Sequence, residues 1–575
     1  MAEAIVSAVM DQLASHILKE LERKVSLVVG VRKEKEKLDD HLTQIKAVLE
    51  DAENKEIRDK AVKVWLGQLK DVMYDAEDVL DEWNTRILIS ANSPHVANRV
   101  RSYLLSLCAC FKHLGVCHAI VIAHRIKDIR ERLDEIALRK NQLGLVQSLG
   151  HKEPPQFTSS VVDVSEVFGR DHDKQEILSM LQFDDVENPS IYEAKKLRTL
   201  VAESSRSVPS ALHQLTCLRT LDLSGKNLFS ESVFEVLPSE VNRLLHLRYL
   251  DLSNNSNLKE LPETVRSLVN LQTLKLNWCT SLCKLPEGIG ELSNLRHLEV
   301  ERTNHLKYYP RGGIERLSQL RTLSKFVVSD GSSKGSVIGE LGNLNFLKGR
   351  LLIEGLNYVK SVNEAKQAEL HKKENILELV LDFGYYRYIG DVSSEEEIRR
   401  MEGVLENLEP HKESLERLEI YNYVGSTLPT WMRMMSNITY LCLSDCPNLK
   451  VEPHYLFPPR LETLELGDDV GVLSKSLMSL THNNNLKTLS IIWLPHSSLP
   501  QGLNQLTSLQ QLGFYECDFL DFKPEELKPL TMLRELDIDD CPIITRRERS
   551  REEDWSILTH IPTIKIDLKD IEAEN

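Results

Sequence analysis

Apolar residues fall three and four apart through the first quarter of the chain. Ile5, Val9, Leu13, Ile17 and Leu21 lie four apart on one slowly drifting stripe. Leu38, Leu42, Ile45 and Leu49 step by four, three and four. Val62, Trp65, Leu69, Val72, Ala76, Val79 and Trp83 mark a third stripe, and Ile122, Ile126, Ile129, Leu133 and Ile136 a fourth. Such steps place each set on one face of an α-helix. Four amphipathic stripes are most simply buried against one another, so residues 1–145 are expected to form a four-helix bundle. Periodicity alone also fits a generic bundle with no special function.

From about residue 195 the period changes. "LRTLVA", "LRTLDL", "LRYLDL", "LQTLKL", "LRHLEV" and "LRTLSK" recur at steps of about 21–29 residues. After an irregular stretch the pattern resumes with "LERLEI" (415–420), "ITYLCL" (438–443), "LETLEL" (461–466), "LKTLSI" (486–491), "LQQLGF" (509–514) and "LRELDI" (533–538). This is the LxxLxL signature of leucine-rich repeats at its proper spacing. One unit cannot bury its leucines alone, so stacked units are expected to form a curved α/β solenoid, a horseshoe with strands lining its concave face, over residues 195–567. The charged stretch "DVSSEEEIRRME" (391–402) reads as a loop inserted in that solenoid. Between the halves, Pro154-Pro155 and a Ser/Thr cluster mark a linker, residues 146–194, and residues 568–575 form an acidic tail.

The bulk numbers narrow the function. Of 575 residues, 27% are charged and 41% apolar, with a net charge of −16. That balance argues against non-specific nucleic-acid binding. "MAEAIVSAVMDQ" carries acids where a secretion signal needs bases, and runs such as "SLVVGV" and "AIVIA" are too short to span a bilayer. A cytoplasmic protein is expected, with a membrane surface or the nucleus as alternatives. Its ten cysteines are then read as free thiols, and the sequons at Asn254 and Asn437 as chance matches.

Candidate chemistry is sparse. Cys108, Cys110, His113, Cys117 and His118 do not follow a standard zinc spacing and read as thiols and imidazoles in a helical connection. Cys279, Cys446, Cys517 and Cys541 each sit eight residues after the leading residue of a repeat, the Asn/Cys position of the consensus, and are read as structural. "GSSKG" (331–335) matches the G-x-S-x-G nucleophile elbow, but it interrupts a repeat array and reads as a turn rather than placing Ser333 as a nucleophile. A phosphate loop needs glycines whose backbone wraps the phosphates, a lysine and a hydroxyl. The Gly225-Lys226 pair is followed by Asn227 and lies inside a repeat. ATP hydrolysis, metal binding and a catalytic role are therefore not expected.

The chain resembles the plant coiled-coil nucleotide-binding leucine-rich-repeat immune receptors. "VLEDAE" (48–53) and "YDAEDVLDEW" (74–83) look like the Rx-type N-terminal domain, the second carrying its acidic EDVID-like motif as Glu77-Asp78-Val79-Leu80-Asp81. "IKDIRERLDEIA" (126–137) and "VDVSEVFGRD" (162–171) look like the run-up to the nucleotide-binding (NB-ARC) module, and residues 341–370 and 553–567 look like stretches of the repeat domain. The resemblance implies pathogen sensing and immune signalling, with a pathogen effector, a guarded host protein or another receptor of the class as partner. ADP or ATP would be the family's cofactor. The phosphate loop and switch histidine of the central module are not found here, so residues 146–194 read as its vestigial start.

One feature stands without the resemblance. Equivalent positions in successive repeats stack at about 4.8 Å. The residue after the leading leucine is Arg198, Arg219, Arg248, Gln272, Arg296 and Arg321 in the first six units. Guanidinium groups match carboxylates bidentately, and Glu77, Asp78, Asp81 and Glu82 form a compact acidic patch. The patch is expected to dock on the arginine column. Recognition is expected on the concave face, with Tyr249, Asp251, Lys275, His297, Glu299, Arg417, Glu419 and Tyr440 as candidates. The expected function is that of a non-enzymatic immune protein that recognises through its repeats and signals or pairs through its helices. The alternatives are a fragment of an ADP/ATP-switched receptor, shortened by splicing or by an error in defining its gene, and, behind it, a hydrolase.

Overall fold

The computed structural model describes residues 59–92, 115–143, 196–201, 210–225, 235–384, 394–451, 457–549, 555–567 and 569–570, with scattered positions at 6, within 42–55 and at 145. The side chains of Asp78, residues 80–92 and most of 115–126 are outside this set. So are the first stripe, Leu38, Trp83, Ile122 and Ile126, the Cys108–His118 group, the stretch 162–187 and the last five residues.

Helix α1 spans Lys60–Asn92 and α2 spans Gly115–Gln142. The Asp59 carboxylate caps the start of α1, accepting from the Ala61 amide at 2.8 Å. Val62, Trp65, Leu69, Val72, Ala76 and Val79 of α1 are all buried, as their spacing requires. They share one core with Leu42, Ile45 and Leu49 and with Ile129, Leu133 and Ile136 of α2. The Trp65 indole N–H donates to the Ile136 carbonyl at 2.9 Å, tying the two helices without leaving a buried donor empty.

The repeats form two sheets among the described residues. The first has six strands in chain order: β1 (Thr199–Val201), β2 (Thr220–Asp222), β3 (Tyr249–Asp251), β4 (Thr273–Lys275), β5 (His297–Glu299) and β6 (Thr322–Leu323). The second runs from β7 (Lys325–Val327), β8 (Lys348–Glu354) and β9 (Asn375–Asp382) through β10 (Arg417–Tyr421), β11 (Tyr440–Ser444), β12 (Thr463–Gly467), β13 (Thr488–Ile492), β14 (Gln511–Tyr515), β15 (Glu535–Asp539) and β16 (Thr563–Ile566) to β17 (Lys569–Asp570). All neighbours pair in parallel except β16 with β17. Leu221, Leu250, Leu274 and Leu298 occupy one column and are fully buried. A leucine in such a place contributes about 2–5 kcal/mol relative to alanine.

The stretch between residues 326 and 414, irregular in sequence, contains β8 and β9, the longest strands of the array at 7 and 8 residues. The "DVSSEEEIRRME" stretch is not a loop where it is described: Glu395–Glu406 is a helix. Ser394 caps it by accepting from the Glu397 amide, and Met401, Val404 and Leu405 bury its inner face. The acids that suggest a loop are first-turn residues facing the positive end of the helix dipole.

The four repeat cysteines are buried, with Sγ contacts to strand carbonyls such as Cys279 to Leu252 at 3.1 Å. Burial pushes the Cys279 and Cys446 thiols up to about 12. Ser333 lies exposed in a turn that begins at Gly331, whose φ of 94° requires glycine.

Ser324 and Lys325 form the seam between the sheets. Lys325 stands where Val300 stands one repeat earlier, at an inward position. It is 4% exposed, and its Nζ donates to the Thr303 carbonyl at 3.0 Å and lies 3.1 Å from the Glu354 carboxylate. At this level the Val300 amide donates to the Ser324 hydroxyl at 2.7 Å rather than to a strand carbonyl.

A second buried lysine, Lys373, has no ion pair among the described residues and donates instead to the Leu341 carbonyl at 2.7 Å. Burial pushes its ammonium down to about 8, against about 10.4 in an unfolded chain. Between those values the unfolded state binds more protons, so this group's effect is a stability that rises with pH. The urea midpoint of the parent should therefore gain on that of Lys373→Met as pH is raised from 7 to 10. A constant difference would show that the ammonium is not the source.

Candidate functional site

The site begins with the strand ladder. The Arg219 amide donates to the Arg198 carbonyl at 2.7 Å, and Arg248 to Arg219 at 2.7 Å. Gln272 donates to Arg248 at 2.8 Å, Arg296 to Gln272 at 2.8 Å, and Arg321 to Arg296 at 2.7 Å. These bonds make the six residues consecutive rungs. The Lys348 amide donates to the Arg321 carbonyl at 2.8 Å and adds a seventh rung.

Helix α1 meets the first three. The Arg198 guanidinium lies 4.2 Å from the centre of the Tyr74 ring. One turn later Glu77 sits between Arg219, in a close ion pair, and Arg248 at 2.9 Å. Tyr74 and Glu77 are three residues apart, about 4.5 Å along a helix. Rungs are about 4.8 Å apart. The helix rise therefore matches the rung spacing, and one helix face can engage successive repeats.

The Glu77 residue is 5% exposed. At the surface such a pair would contribute about 0–1 kcal/mol, but removing one partner of a buried pair costs about 3–5 kcal/mol. Asp75 adds a second link. It accepts from Arg132 of α2 at 2.7 Å and lies 3.9 Å from Lys196 at the entry to the repeats.

Of the residues expected in this contact, Glu77, Arg198, Arg219 and Arg248 come together. The side chains of Asp78, Asp81 and Glu82 lie outside the described residues. Arg296 and Arg321 touch no carboxylate among the described residues, and both are exposed. Sequence reasoning misses Tyr74, Asp75, Lys196 and Lys348. Tyr74 and Asp75 are legible as neighbours of the acidic motif on α1, whereas Lys348 sits in a repeat whose leucine pattern is degenerate.

The concave candidates are already engaged with neighbouring side chains. Asp251 is buried, accepting from the Tyr249 hydroxyl at 2.9 Å and the Ser253 amide at 2.9 Å, so it is not a free outward carboxylate. Burial and that hydrogen bond push the Tyr249 phenol well up. Lys275 pairs with Glu299 at 3.3 Å. His297 contacts the Thr322 hydroxyl at 3.0 Å, and its pKa is lowered first by burial and then by Lys348, Arg321 and Arg296. The Arg417 guanidinium stacks 3.6 Å over the Tyr440 ring, whose hydroxyl donates to Glu465 at 2.8 Å. Glu419 accepts from Tyr421 at 3.0 Å. Among the described residues no cluster of acids, histidines and cysteines could hold a metal ion, and no helix is long and apolar enough to cross a membrane.

These features define a leucine-rich-repeat protein with a helical domain packed against its first repeats. Residues 5–105 match the Rx N-terminal domain, residues 338–468 the R13L1/DRL21 leucine-rich repeats, and residues 246–268 a leucine-rich repeat. The chain is a relative of plant disease resistance proteins. Two from Solanum bulbocastanum, both named for disease resistance, are RGA1, 42% identical over 54% of this chain and 30% of its own length, and RGA2, 33% identical over 40% and 22%. RPP13-like protein 1 of Arabidopsis thaliana is 40% identical over 25% of this chain and 14% of its own length. The chain thus spans less than a third of the length of these curated relatives. Solved structures like it include a leucine-rich-repeat protein of Leptospira interrogans, at 21% identity over 67% of this chain and 93% of that chain (TM-score 0.35). An internalin of Listeria monocytogenes follows at 14% identity over 66% and 87%, with a TM-score of 0.31.

Replacing Glu77 by alanine removes the carboxylate from between two guanidinium groups. Deuterium exchange of the amides of residues 62–79 should quicken in the full chain, by an amount equivalent to about 3–5 kcal/mol of lost protection. Arg296→Ala should leave those amides unchanged. Equal exchange in the two variants would show that the pair does not hold the helix.

Proposed function

We propose that this chain is a non-catalytic defence protein that recognises proteins through its repeats and signals or pairs through its helical domain. The supporting observation is the buried Glu77 carboxylate between Arg219 and Arg248. It makes the first repeats a clamp for the helical domain, so anything that pulls the clamp open exposes one surface on each domain together. The names of the relatives, which refer to disease resistance, support this reading. Either a pathogen protein or a host protein fits as the recognised partner. The protein acts in this reading without a bound nucleotide, in the cytoplasm.

A second reading is favoured by one observation, the small share of its relatives' length that the chain spans. In it the chain is a shortened form of an ADP/ATP-switched receptor. Sequencing the transcript across residues 182–195 separates the two readings.

The clamp is tested by charge reversal. Glu77→Arg and Arg219→Glu should each raise the radius of gyration of the full chain in X-ray scattering, and the double variant should bring it back. The parent should show no saturable, magnesium-dependent binding of ATP or ADP. An unchanged radius in both single variants, or tight nucleotide binding by the pure chain, would overturn this reading.

A further inference from the structure

The basic column is only half used. Its first rungs hold Tyr74 and Glu77. Beyond the neutral rung Gln272, the side chains of Arg296, Arg321 and Lys348 are exposed and have no ion pair among the described residues. Three cations at strand spacing repel one another, and no carboxylate among the described residues pairs with any of them.

The surroundings do not supply the missing charge. Glu299 is paired with Lys275 at 3.3 Å, and Glu301 with Arg350 at 3.5 Å. Glu378 lies 3.6–3.7 Å from Arg417 and Arg350. Lys348 opens onto a concave cavity of about 590 Å³ whose charged walls are Lys348, Arg350, Glu299, Glu301 and Glu374. Glu374 is the one lining carboxylate without an ion pair among the described residues, so one unpaired carboxylate stands against the three rung cations Arg296, Arg321 and Lys348. Helix α1 continues to Asn92, but from Asn84 to Asn92 its sequence holds no acid and one arginine, Arg86.

We propose that Arg296, Arg321 and Lys348 form a second docking site, which takes an acidic helix from another protein with carboxylates three or four residues apart. The precedent is within the chain. Residues three apart on α1 already fit successive rungs, and a carboxylate between two rungs becomes buried there. Carboxylates at i, i+3 and i+4 lie about 4.5–6 Å apart along a helix, matching rungs about 4.8 Å apart. A protein partner fits better than nucleic acid, because the chain as a whole carries −16. The inference deepens the recognition reading and rests on it by naming the chemistry of one partner.

The probe is a fluorescein-labelled, alanine-based helical peptide with four glutamates spaced three and four apart, titrated into the full chain and read by fluorescence anisotropy. Saturable binding is expected, weakening with salt. It should fall at least tenfold in the Arg296→Glu, Arg321→Glu, Lys348→Glu triple variant. A Gln triple variant should fall between that and the parent, and Arg534→Glu, far along the solenoid, should match the parent. Matching thermal melts exclude misfolding, since all three side chains are exposed. The proposal is overturned by equal binding to the triple variant. It is overturned equally by no saturable binding to the parent, by a peptide with the same glutamates in a contiguous run binding as well, or by inorganic phosphate competing at low millimolar concentration. Failure of the clamp would appear instead in the scattering of the Glu77 and Arg219 variants, so the two outcomes are separable.

Discussion

Each position in the solenoid inherits its neighbours from one hydrogen-bond ladder, in which the amide ahead of a strand donates to the carbonyl of its counterpart one repeat earlier. That constraint turns a recurring sequence position into a column in space. It stacks Leu221, Leu250, Leu274 and Leu298 into a core that no single repeat could close. It also stacks Arg198, Arg219 and Arg248 into a cationic rail. Without α1, that rail would present like charges side by side at strand spacing. The helical domain is therefore more than a passenger on the repeats, because Glu77 compensates charge that the ladder itself concentrates.

The ladder weakens at one level. At Ser324 a hydroxyl stands in for a strand carbonyl, and the inward aliphatic position is taken by Lys325 with Glu354 as its counter-charge. A buried ion pair of this kind is weak evidence for stability, since desolvation offsets much of its attraction. Its place is geometric: it stands where the six-strand sheet ends and the eleven-strand one begins. The residues numbered beyond it include the longest strands and the helix Glu395–Glu406.

Much of this can be read in the sequence, because both halves bury residues at a fixed period. The stripes of α1 and α2 and the leucine columns follow directly from spacing, where they are described. So do the inward cysteines. The repeats from 326 to 414 escape because "LKGRLLIE" carries an extra residue at the Gly349–Arg350 irregularity, and because "NILELVLD" hides its Ile376, Leu379 and Leu381 pattern among further apolar residues. The helix at Glu395–Glu406 escapes because its acids outnumber its apolar residues, and only Met401, Val404 and Leu405 reveal the buried face. For the site, the rail is visible as a repeated residue and the acidic motif as a cluster. Which carboxylate meets which arginine is not, since that depends on how a helix lies across strands. The outward positions at Asp251 and Tyr440 mislead for a different reason: alternation tells which way a side chain points, not whether a neighbour already occupies it.

Gln272 has a consequence of its own. Lying between Arg248 and Arg296, it puts about two strand spacings, roughly 10 Å, between the nearest cations on either side. The screening length in cellular salt is about 8 Å. Anions seated above and below that amide would scarcely sense each other. One uncharged side chain thus divides the rail into two electrically independent halves, which can be filled or emptied separately.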